Sequence, residues 1–258
     1  MTSTDPISEA ADLLWNTWQA GTTVAALPAD IRPQDQQQAM AIQRSVSGRI
    51  GATFGWKVGA TAPASQAFLG VDAPLAGALH ERFRLEDGEP MSLSGQLMRL
   101  AEPEFAFRMA TDVDGSASLD DVIAAVDSMH LAIEVPDSRY DSFDGVDGLQ
   151  ILADGVCTGS FLLGPGIDGW ADLDLADQAV ALHVNGDHVA DGSGATVLGD
   201  PRKSLHWLAS ELPRFGLALR AGDIVTTGTA APPAPVAPGD TVVAEFPGLG
   251  SVAMSFTE

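Results

Sequence analysis

The chain has 258 residues and is strongly acidic, with 35 Asp and Glu against 13 Lys and Arg and a formal net charge of −22. Its 45% hydrophobic content is too high for a disordered chain, and its length is enough to bury a sizeable core. This charge argues against nucleic acids and anionic membranes as partners, because both would repel the protein.

The sequence predicts a cytoplasmic protein. Cys157 is the one cysteine and cannot form an internal disulfide, which suits a reducing compartment. The segment Met1–Pro6 has neither the basic nor the apolar stretch of a secretory signal. No apolar run is long enough to cross a bilayer.

The N-terminal part of the chain has helical patterning. Apolar residues recur at helical spacing over residues 7–20 and predict an amphipathic helix. A second helix is predicted from Pro33 to about Ile50, because Pro favours a helix start and Gly51 a helix end. We therefore divide the chain into an N-terminal helical segment, residues 1–50, and a strand-rich catalytic body, residues 51–258, that forms one structural unit.

The second part of the chain reads as short strands separated by Gly and Pro. Strands are predicted at 54–58, 97–109, 129–135, 149–153, 159–163, 223–227, 241–246 and 251–256, and helices at 119–127 and 201–215. Asn185-Gly186 predicts a type I′ hairpin, and the four prolines of residues 230–238 predict a loop. This mixture indicates an α+β fold.

Two carboxylates alternate along one of these predicted strands. Glu102 and Glu104 point to the same face, about 7 Å apart along the strand. Pro103 between them lacks an N–H donor, which predicts a strand edge or an irregularity. The apolar flanks indicate a mostly buried strand, where two like charges need a positive charge between them.

A third carboxylate lies in the next apolar strand. Glu134 belongs to the predicted strand 129–135, and the helix 119–127 separates it from the first two. This arrangement predicts a strand–helix–strand crossover with parallel strands, which brings the three side chains together. Carboxylate oxygens favour a hard cation, Mg²⁺ first and Mn²⁺ or Ca²⁺ after it.

The lysines add a second signal. Lys57 and Lys203 are the two lysines of the chain, and Lys57 lies in the apolar stretch Phe54–Gly59. A charge there is costly unless it is paired. Three carboxylates with one divalent ion leave a net charge of about −1, which Lys57 would balance before an anionic substrate binds.

Two further segments allow more than one interpretation. Gly155–Gly159 matches a nucleophile elbow with Cys157 in place of Ser, but a strand is predicted after it where an elbow needs a helix. A small buried residue near the site is therefore favoured over a nucleophile. Arg139, just beyond Glu134, fits a substrate-carboxylate ligand and an ordinary polar loop equally well.

The ordered set of motifs resembles a known family. Gly55–Thr61, Glu102–Glu104 and Ala132–Arg139 are similar to segments of the 2-keto-4-pentenoate hydratases, which group with the 4-oxalocrotonate decarboxylases in the fumarylacetoacetate hydrolase superfamily. Further matches are Val197–Pro201, Leu219–Val225 and Pro238–Val242, so that the likeness runs from about residue 35 to 256.

The resemblance implies a mixed β-roll of the fumarylacetoacetate hydrolase type and a homo-oligomer. It implies Mg²⁺ or Mn²⁺ on Glu102, Glu104 and Glu134, with Lys57 as the catalytic residue. The implied substrates are small 2-oxo or 2-hydroxydienoic acids from the meta-cleavage of aromatic compounds. Candidate substrate-binding residues are Arg139, Asp154, Cys157 and Thr229.

Two departures from the family pattern keep alternatives open. Leu75 stands where many relatives carry an Asp, and Asp154–Cys157 differs from their Asp-Asn-Ala-Ser. The leading hypothesis is a metal-dependent hydratase of 2-hydroxy-2,4-dienoates, followed by a 4-oxalocrotonate-type decarboxylase. A C–C hydrolase of acylpyruvates ranks lower, because residues 62–71 lack the His–Glu pair of those relatives. A Cys157 hydrolase and a non-catalytic 2-oxo-acid-binding protein complete the set.

Overall fold

A computed structural model describes residues 5–258; Met1–Thr4, part of the segment in which no secretory signal is predicted, lie outside the described residues. The helices are α1 (Pro6–Gln19), α2 (Gln36–Ile50), α3 (Pro63–Leu69), α4 (Leu119–Ala124), α5 (Gly148–Ala153) and α6 (Pro201–Glu211). The strands are β1 (Thr53–Gly59), β2 (Leu75–His80), β3 (Arg84–Leu85), β4 (Met91–Ser92), β5 (Leu100–Met109), β6 (Val126–Val135), β7 (Ser160–Ile167), β8 (Ala179–Val184), β9 (Asp187–Ser193), β10 (Ile224–Thr229), β11 (Ala234–Pro235), β12 (Thr241–Phe246) and β13 (Gly250–Thr257).

The strands form two mixed sheets. The larger has the order β2–β1–β10–β5–β6–β7–β3, with β11 paired to β5, and the smaller has the order β4–β13–β12–β8–β9. The pairs β1–β10, β3–β7 and β4–β13 are parallel, and the remaining pairs are antiparallel. Mixed sheets with flanking helices agree with the predicted α+β class.

The main core lies between the two sheets. Phe105 of β5 meets Phe246 of β12 edge to face, with the ring centroids 5.1 Å apart, and both side chains are fully buried. Because strand side chains alternate, the face of β5 that carries Phe105 and Phe107 is opposite to the face that carries Glu102 and Glu104. The aromatic core therefore fixes the direction in which the two carboxylates point.

A second core joins the N-terminal helices to the larger sheet. It contains buried apolar residues of α1, α2, α5 and β2, among them Leu14, Ile42, Leu75 and Ile151. The division at residue 50 stays a prediction. Among residues 5–258, no helix is long and apolar enough to span a membrane.

The contact between α2 and β2 buries a titratable histidine. His80 is 4% exposed, its Nε2 lies 2.6 Å from Ser47 Oγ, and its Nδ1 has no partner among the described residues. Burial, and then the positive charge of Arg139, lowers the pKa of His80 to about 4. In the folded protein His80 therefore stays neutral down to about pH 4, whereas in the unfolded chain it is protonated near pH 6.5.

A pH-dependent loss of stability should follow from His80. Its contribution is fully present above pH 6.5 and is lost as the pH falls towards 4, which lowers the free energy of unfolding by about 1–3 kcal/mol. We expect His80→Gln to lose this part of the slope in urea denaturation series between pH 4 and 8. An unchanged slope in the variant would contradict the assignment.

Two predicted elements are wrong in type or direction. Strands β5 and β6 are antiparallel, with Glu102 opposite Glu134, and not parallel as the crossover predicted. Helix α4 rises only about 9 Å, whereas β5 is about 33 Å long, so α4 is too short to return the chain to the start of β5. The predicted strand 149–153 is helix α5, because Asp147 caps it by accepting from the Gln150 N–H.

Other predictions hold with shifted boundaries. Helix α2 begins at Gln36, capped by Asp35, and not at Pro33. Asn185 and Gly186 both have positive φ, as a type I′ hairpin requires. The irregularity predicted at Pro103 is displaced: the register shift between β10 and β5 lies opposite Glu104 to Ala106, whereas Pro103 pairs regularly with Ile133 of β6. The Pro103 carbonyl accepts from the Ala230 N–H. Helix α3 and strand β2 were not predicted.

Candidate metal centre and active site

The three predicted carboxylates meet at one point of the larger sheet. Glu102 and Glu104 lie on β5, and Glu134 lies opposite Glu102 on β6. One oxygen from each side chain lies within 4.8 Å of the others. Glu104 and Glu134 are fully buried, and Glu102 is half-buried. Same-face alternation on β5 therefore produces the cluster even though the neighbouring strand is antiparallel.

The oxygens of this cluster lack sufficient hydrogen-bond donors. Glu104 Oε2 accepts from the Gly228 N–H at 2.9 Å, but Glu104 Oε1 and both Glu134 oxygens have no hydrogen-bond partner within residues 5–258. Burial raises the pKa of all three carboxyls, that of Glu102 to about 7. Buried oxygens without donors fit a cation, and an all-carboxylate set fits Mg²⁺ or Mn²⁺.

Lys57 is the cation nearest to this cluster. It lies on β1, is 4% exposed, and its Nζ is 3.1 Å from Glu134 Oε1 in an ion pair that lacks hydrogen-bond alignment. Its Nζ donates to the Val156 carbonyl at 2.9 Å. Burial opposes the charge of Lys57, but the charges of Glu134 and Glu102 outweigh it and hold the pKa of Lys57 above its usual value.

A turn in an unusual conformation supplies that carbonyl. Gly155, Val156 and Cys157 all have positive φ, which is rare for a β-branched residue such as Val156. A Cβ at Gly77 of β2 would lie 2.3 Å from the Gly155 carbonyl oxygen, so only glycine permits this approach. The sequence predicted a role for Lys57 but not its carbonyl partner, because a main-chain contact leaves no side-chain signal in the sequence.

Arg139 and Asp154 form a buried pair behind the site. The Arg139 side chain donates to Asp154 Oδ1 and to the Asp154 carbonyl, and Ser138 Oγ donates to Asp154 Oδ2 at 3.1 Å. Neither residue lines the cavity that contains Lys57. The structure thus does not bring these two predicted substrate-binding residues to the carboxylate cluster.

Cys157 and Thr229 do line that cavity, which has a volume of about 460 Å³. Thr229 follows Gly228 at the end of β10, and its hydroxyl donates to the Ala231 carbonyl at 2.7 Å. Cys157 follows helix α5 and precedes strand β7, the reverse of the strand–helix order of a nucleophile elbow. Burial raises the pKa of the Cys157 thiol to about 12.

The raised pKa predicts an unreactive thiol. Because Cys157 is the one cysteine in the chain, alkylation reports on it alone. We expect iodoacetamide at pH 8 to modify the folded protein at least about 100-fold more slowly than the urea-denatured chain, since the thiolate is the reactive form. Equal rates, with loss of activity on alkylation, would contradict this and favour the Cys157 hydrolase.

A mixed β-roll with a lysine and three inward-facing carboxylates defines the class of protein, a fumarylacetoacetate-hydrolase fold with a candidate divalent-metal centre. The chain belongs to the fumarylacetoacetate hydrolase family: the family model described as "Fumarylacetoacetate (FAA) hydrolase C-terminal" matches residues 86–257. The family resemblance seen in the sequence and the expected fold are thereby confirmed.

Several relatives are similar over most or all of the chain. A 2-keto-4-pentenoate hydratase of Burkholderia vietnamiensis (strain G4 / LMG 22486) is 35% identical over 100% of both chains. A 2-hydroxyhexa-2,4-dienoate hydratase of Comamonas testosteroni is 33% identical over 80% of this chain and 78% of its own. The solved structure of 4-oxalocrotonate decarboxylase from Pseudomonas putida G7, complexed with magnesium and adipate, has a TM-score of 0.92 and 30% identity over 99% of both chains.

Proposed function

We propose that this protein is a divalent-metal-dependent lyase that adds water to a 2-hydroxy-2,4-dienoate. The observation that carries the proposal is the meeting of Glu102, Glu104 and Glu134 beside Lys57. Lys57, Glu102 and Glu104 line the cavity. Similarity to hydratases over the full length of the chain supports the reaction class.

Glu102, Glu104 and Glu134 are the residues that would hold the ion, Mg²⁺ or Mn²⁺. When bound, the ion supplies Lewis-acid stabilisation of negative charge on the 2-oxygen of the substrate. The same three side chains exclude other anions from the inner end of the cavity, since they repel any carboxylate that approaches without a cation.

Lys57 is the proposed proton carrier. Its ammonium group has three N–H donors, and one of them remains beyond those directed at the Val156 carbonyl and at Glu134. Lys57 also lines the cavity. In the proposed reaction Lys57 helps to move the proton of the 2-hydroxyl group to the far end of the diene, which leaves a 2-oxo-3-enoate. Water then adds across the remaining double bond, with its hydroxyl on the carbon remote from the 2-oxo group and its proton on the neighbouring carbon.

A decarboxylase is the second candidate, because the decarboxylase structure overlays this chain with a TM-score of 0.92. Water addition to the 2-oxo-3-enoate and decarboxylation both shift electrons towards the 2-oxygen, so the cluster and Lys57 serve either reaction. In the decarboxylase, the carbon–carbon bond to a carboxylate breaks and carbon dioxide leaves. We also propose that the protein works as a homo-oligomer in the cytoplasm.

The test is incubation with 2-hydroxypenta-2,4-dienoate and with 4-oxalocrotonate, each with Mg²⁺, with Mn²⁺ or with a chelator. We expect loss of dienol absorbance only with metal, and a product that has gained one water. If 4-oxalocrotonate loses carbon dioxide and the dienoate is not hydrated, the decarboxylase proposal replaces the hydratase proposal. Metal-independent turnover would contradict both.

A further inference from the structure

The cavity of the candidate site has a charged inner end and an apolar outer end. Lys57 and Glu104 at the inner end are buried, whereas Phe68 at the outer end is 70% exposed. The apolar lining includes Phe68, Leu69, Met98, Phe143, Ile151 and Pro233. Within residues 5–258, Lys57 is the one lysine, arginine or histidine that lines the cavity.

Two aromatic rings form the outer wall. Phe68 and Phe143 meet edge to face, with the ring centroids 6.3 Å apart and an interplanar angle of 81°. Phe68 comes from α3, a helix without a buried residue, and Phe143 comes from the segment between β6 and α5. Helix α3 contributes only the half-buried Leu69 to the second core, and Phe68 and Leu69 line the cavity wall.

Among residues 5–258, no lysine, arginine or histidine lines this outer end, so a second carboxylate on a substrate would meet no cation there. Arg139, the nearest arginine to Glu134 in sequence, is held by the buried Asp154 and does not line the cavity. Glu102 and Glu104 would repel a dianion further. A terminal carboxylate packed against the Phe68 and Phe143 rings would lose part of its hydration without gaining a cationic partner, which is unfavourable.

The cavity is also larger than the smallest dienoate requires. If each of the eight non-hydrogen atoms of 2-hydroxypenta-2,4-dienoate displaces less than one water, about 30 Å³, the molecule fills less than about 240 Å³. The cavity measures about 460 Å³. Most of the residues that line the cavity are apolar, so additional carbon atoms of a substrate would be buried favourably against them.

We propose that this site selects 2-hydroxydienoates whose end remote from the carboxylate carries an uncharged apolar substituent, with Phe68 and Phe143 as specificity-determining residues. This inference rests on the proposed function, because it takes the carboxylate and 2-oxygen to lie at the inner end. It names the substrate class that the site prefers and excludes dicarboxylates such as 4-oxalocrotonate as good substrates.

Binding of unreactive acids tests the preference without turnover. With Mg²⁺ present, titration calorimetry compares 2-oxopentanoate, 2-oxohexanoate and 2-oxoheptanoate with the dicarboxylate 2-oxoadipate. We expect affinity to rise about fourfold for each added methylene. We expect 2-oxoadipate to bind at least about tenfold more weakly than 2-oxohexanoate, because its second charge has no partner.

A charge placed at the outer wall provides the matched variant test. Phe68→Arg puts a cation at an exposed position, and Val189→Arg makes the same change at the 48% exposed Val189 of β9, which does not line the cavity. We expect Phe68→Arg to improve 2-oxoadipate relative to 2-oxohexanoate by about tenfold or more. We expect Val189→Arg to leave that ratio unchanged.

The outcomes separate the inference from the proposed function. Wild-type protein that binds 2-oxoadipate as well as 2-oxohexanoate, or a ratio that shifts equally in both arginine variants, would overturn the inference. Absence of turnover with every dienoate, together with the expected alkyl preference in binding, would overturn the proposed reaction and leave the binding preference standing. Alkyl preference in both binding and kcat/KM supports the two together.

Discussion

Replacing Lys57 by Met is expected to lower kcat for dienoate hydration by about 10²- to 10⁴-fold, the usual contribution of a positioned proton donor or acceptor. Methionine keeps the unbranched apolar stem but lacks the ammonium group that donates to the Val156 carbonyl and pairs with Glu134. Steady-state kinetics with saturating Mg²⁺ measures the effect. Activity within a few-fold of wild type would contradict the assignment of Lys57 as the proton carrier.

The same substitution should destabilise the metal-free protein. Removal of the Lys57 charge beside three buried or half-buried carboxylates leaves their charges uncompensated, at a cost of about 3 kcal/mol in free energy of unfolding. Added Mg²⁺ should restore most of this loss, since it supplies positive charge at the same cluster. Lys203→Met is the control, because Lys203 is exposed on α6 and is the other lysine of the chain.

The carboxylate cluster was predictable because it depends on a short-range rule. Alternation along a strand places Glu102 and Glu104 on one face, whichever way the neighbouring strand runs. The predicted direction of β6 was wrong, because strand direction depends on the distance that the connecting residues span. A helical pattern over 119–127 does not specify that distance. Antiparallel pairing still sets Glu134 opposite Glu102.

The outer wall of the cavity, formed by Phe68 and Phe143, was not predictable from such a short-range rule. Pro63–Leu69 shows no repeated apolar face and buries no residue, so helix α3 leaves no periodic signal. The run 149–153 is apolar and short, and such runs fit a strand and a buried helix equally well until the cap at Asp147 is known. Tertiary contacts, rather than local pattern, therefore decide how Phe68 and Ile151 reach the cavity.

Glu104→Gln is expected to have opposite effects with and without metal. Without metal, neutralising a fully buried carboxylate should raise the free energy of unfolding by about 1–2 kcal/mol, because Glu104 Oε1 has no donor within the described chain and its neighbours repel it. The amide oxygen of Gln can still accept from the Gly228 N–H, so the fold of this turn is kept.

With metal, the wild type should be more stable than Glu104→Gln. Loss of one carboxylate ligand should weaken Mg²⁺ binding at least about 100-fold and reduce hydration by roughly three orders of magnitude. A tightly bound ion raises the Tm of the wild type through mass action, and the variant should gain little. Thermal denaturation with a chelator and with Mg²⁺, alongside calorimetric titration of Mg²⁺, measures both sides.

A change in which protein is more stable, the variant without Mg²⁺ and the wild type with Mg²⁺, distinguishes a metal ligand from an ordinary buried glutamate. If Glu104 only completes the core, the same protein, wild type or variant, should be the more stable one with and without Mg²⁺. Glu245→Gln on β12 removes an exposed strand glutamate and should change neither Tm nor Mg²⁺ affinity, which accounts for the change in net charge. Since the three carboxylates carry like charge in a buried site, a cluster that stabilises the protein only when a cation is present is what metal binding requires.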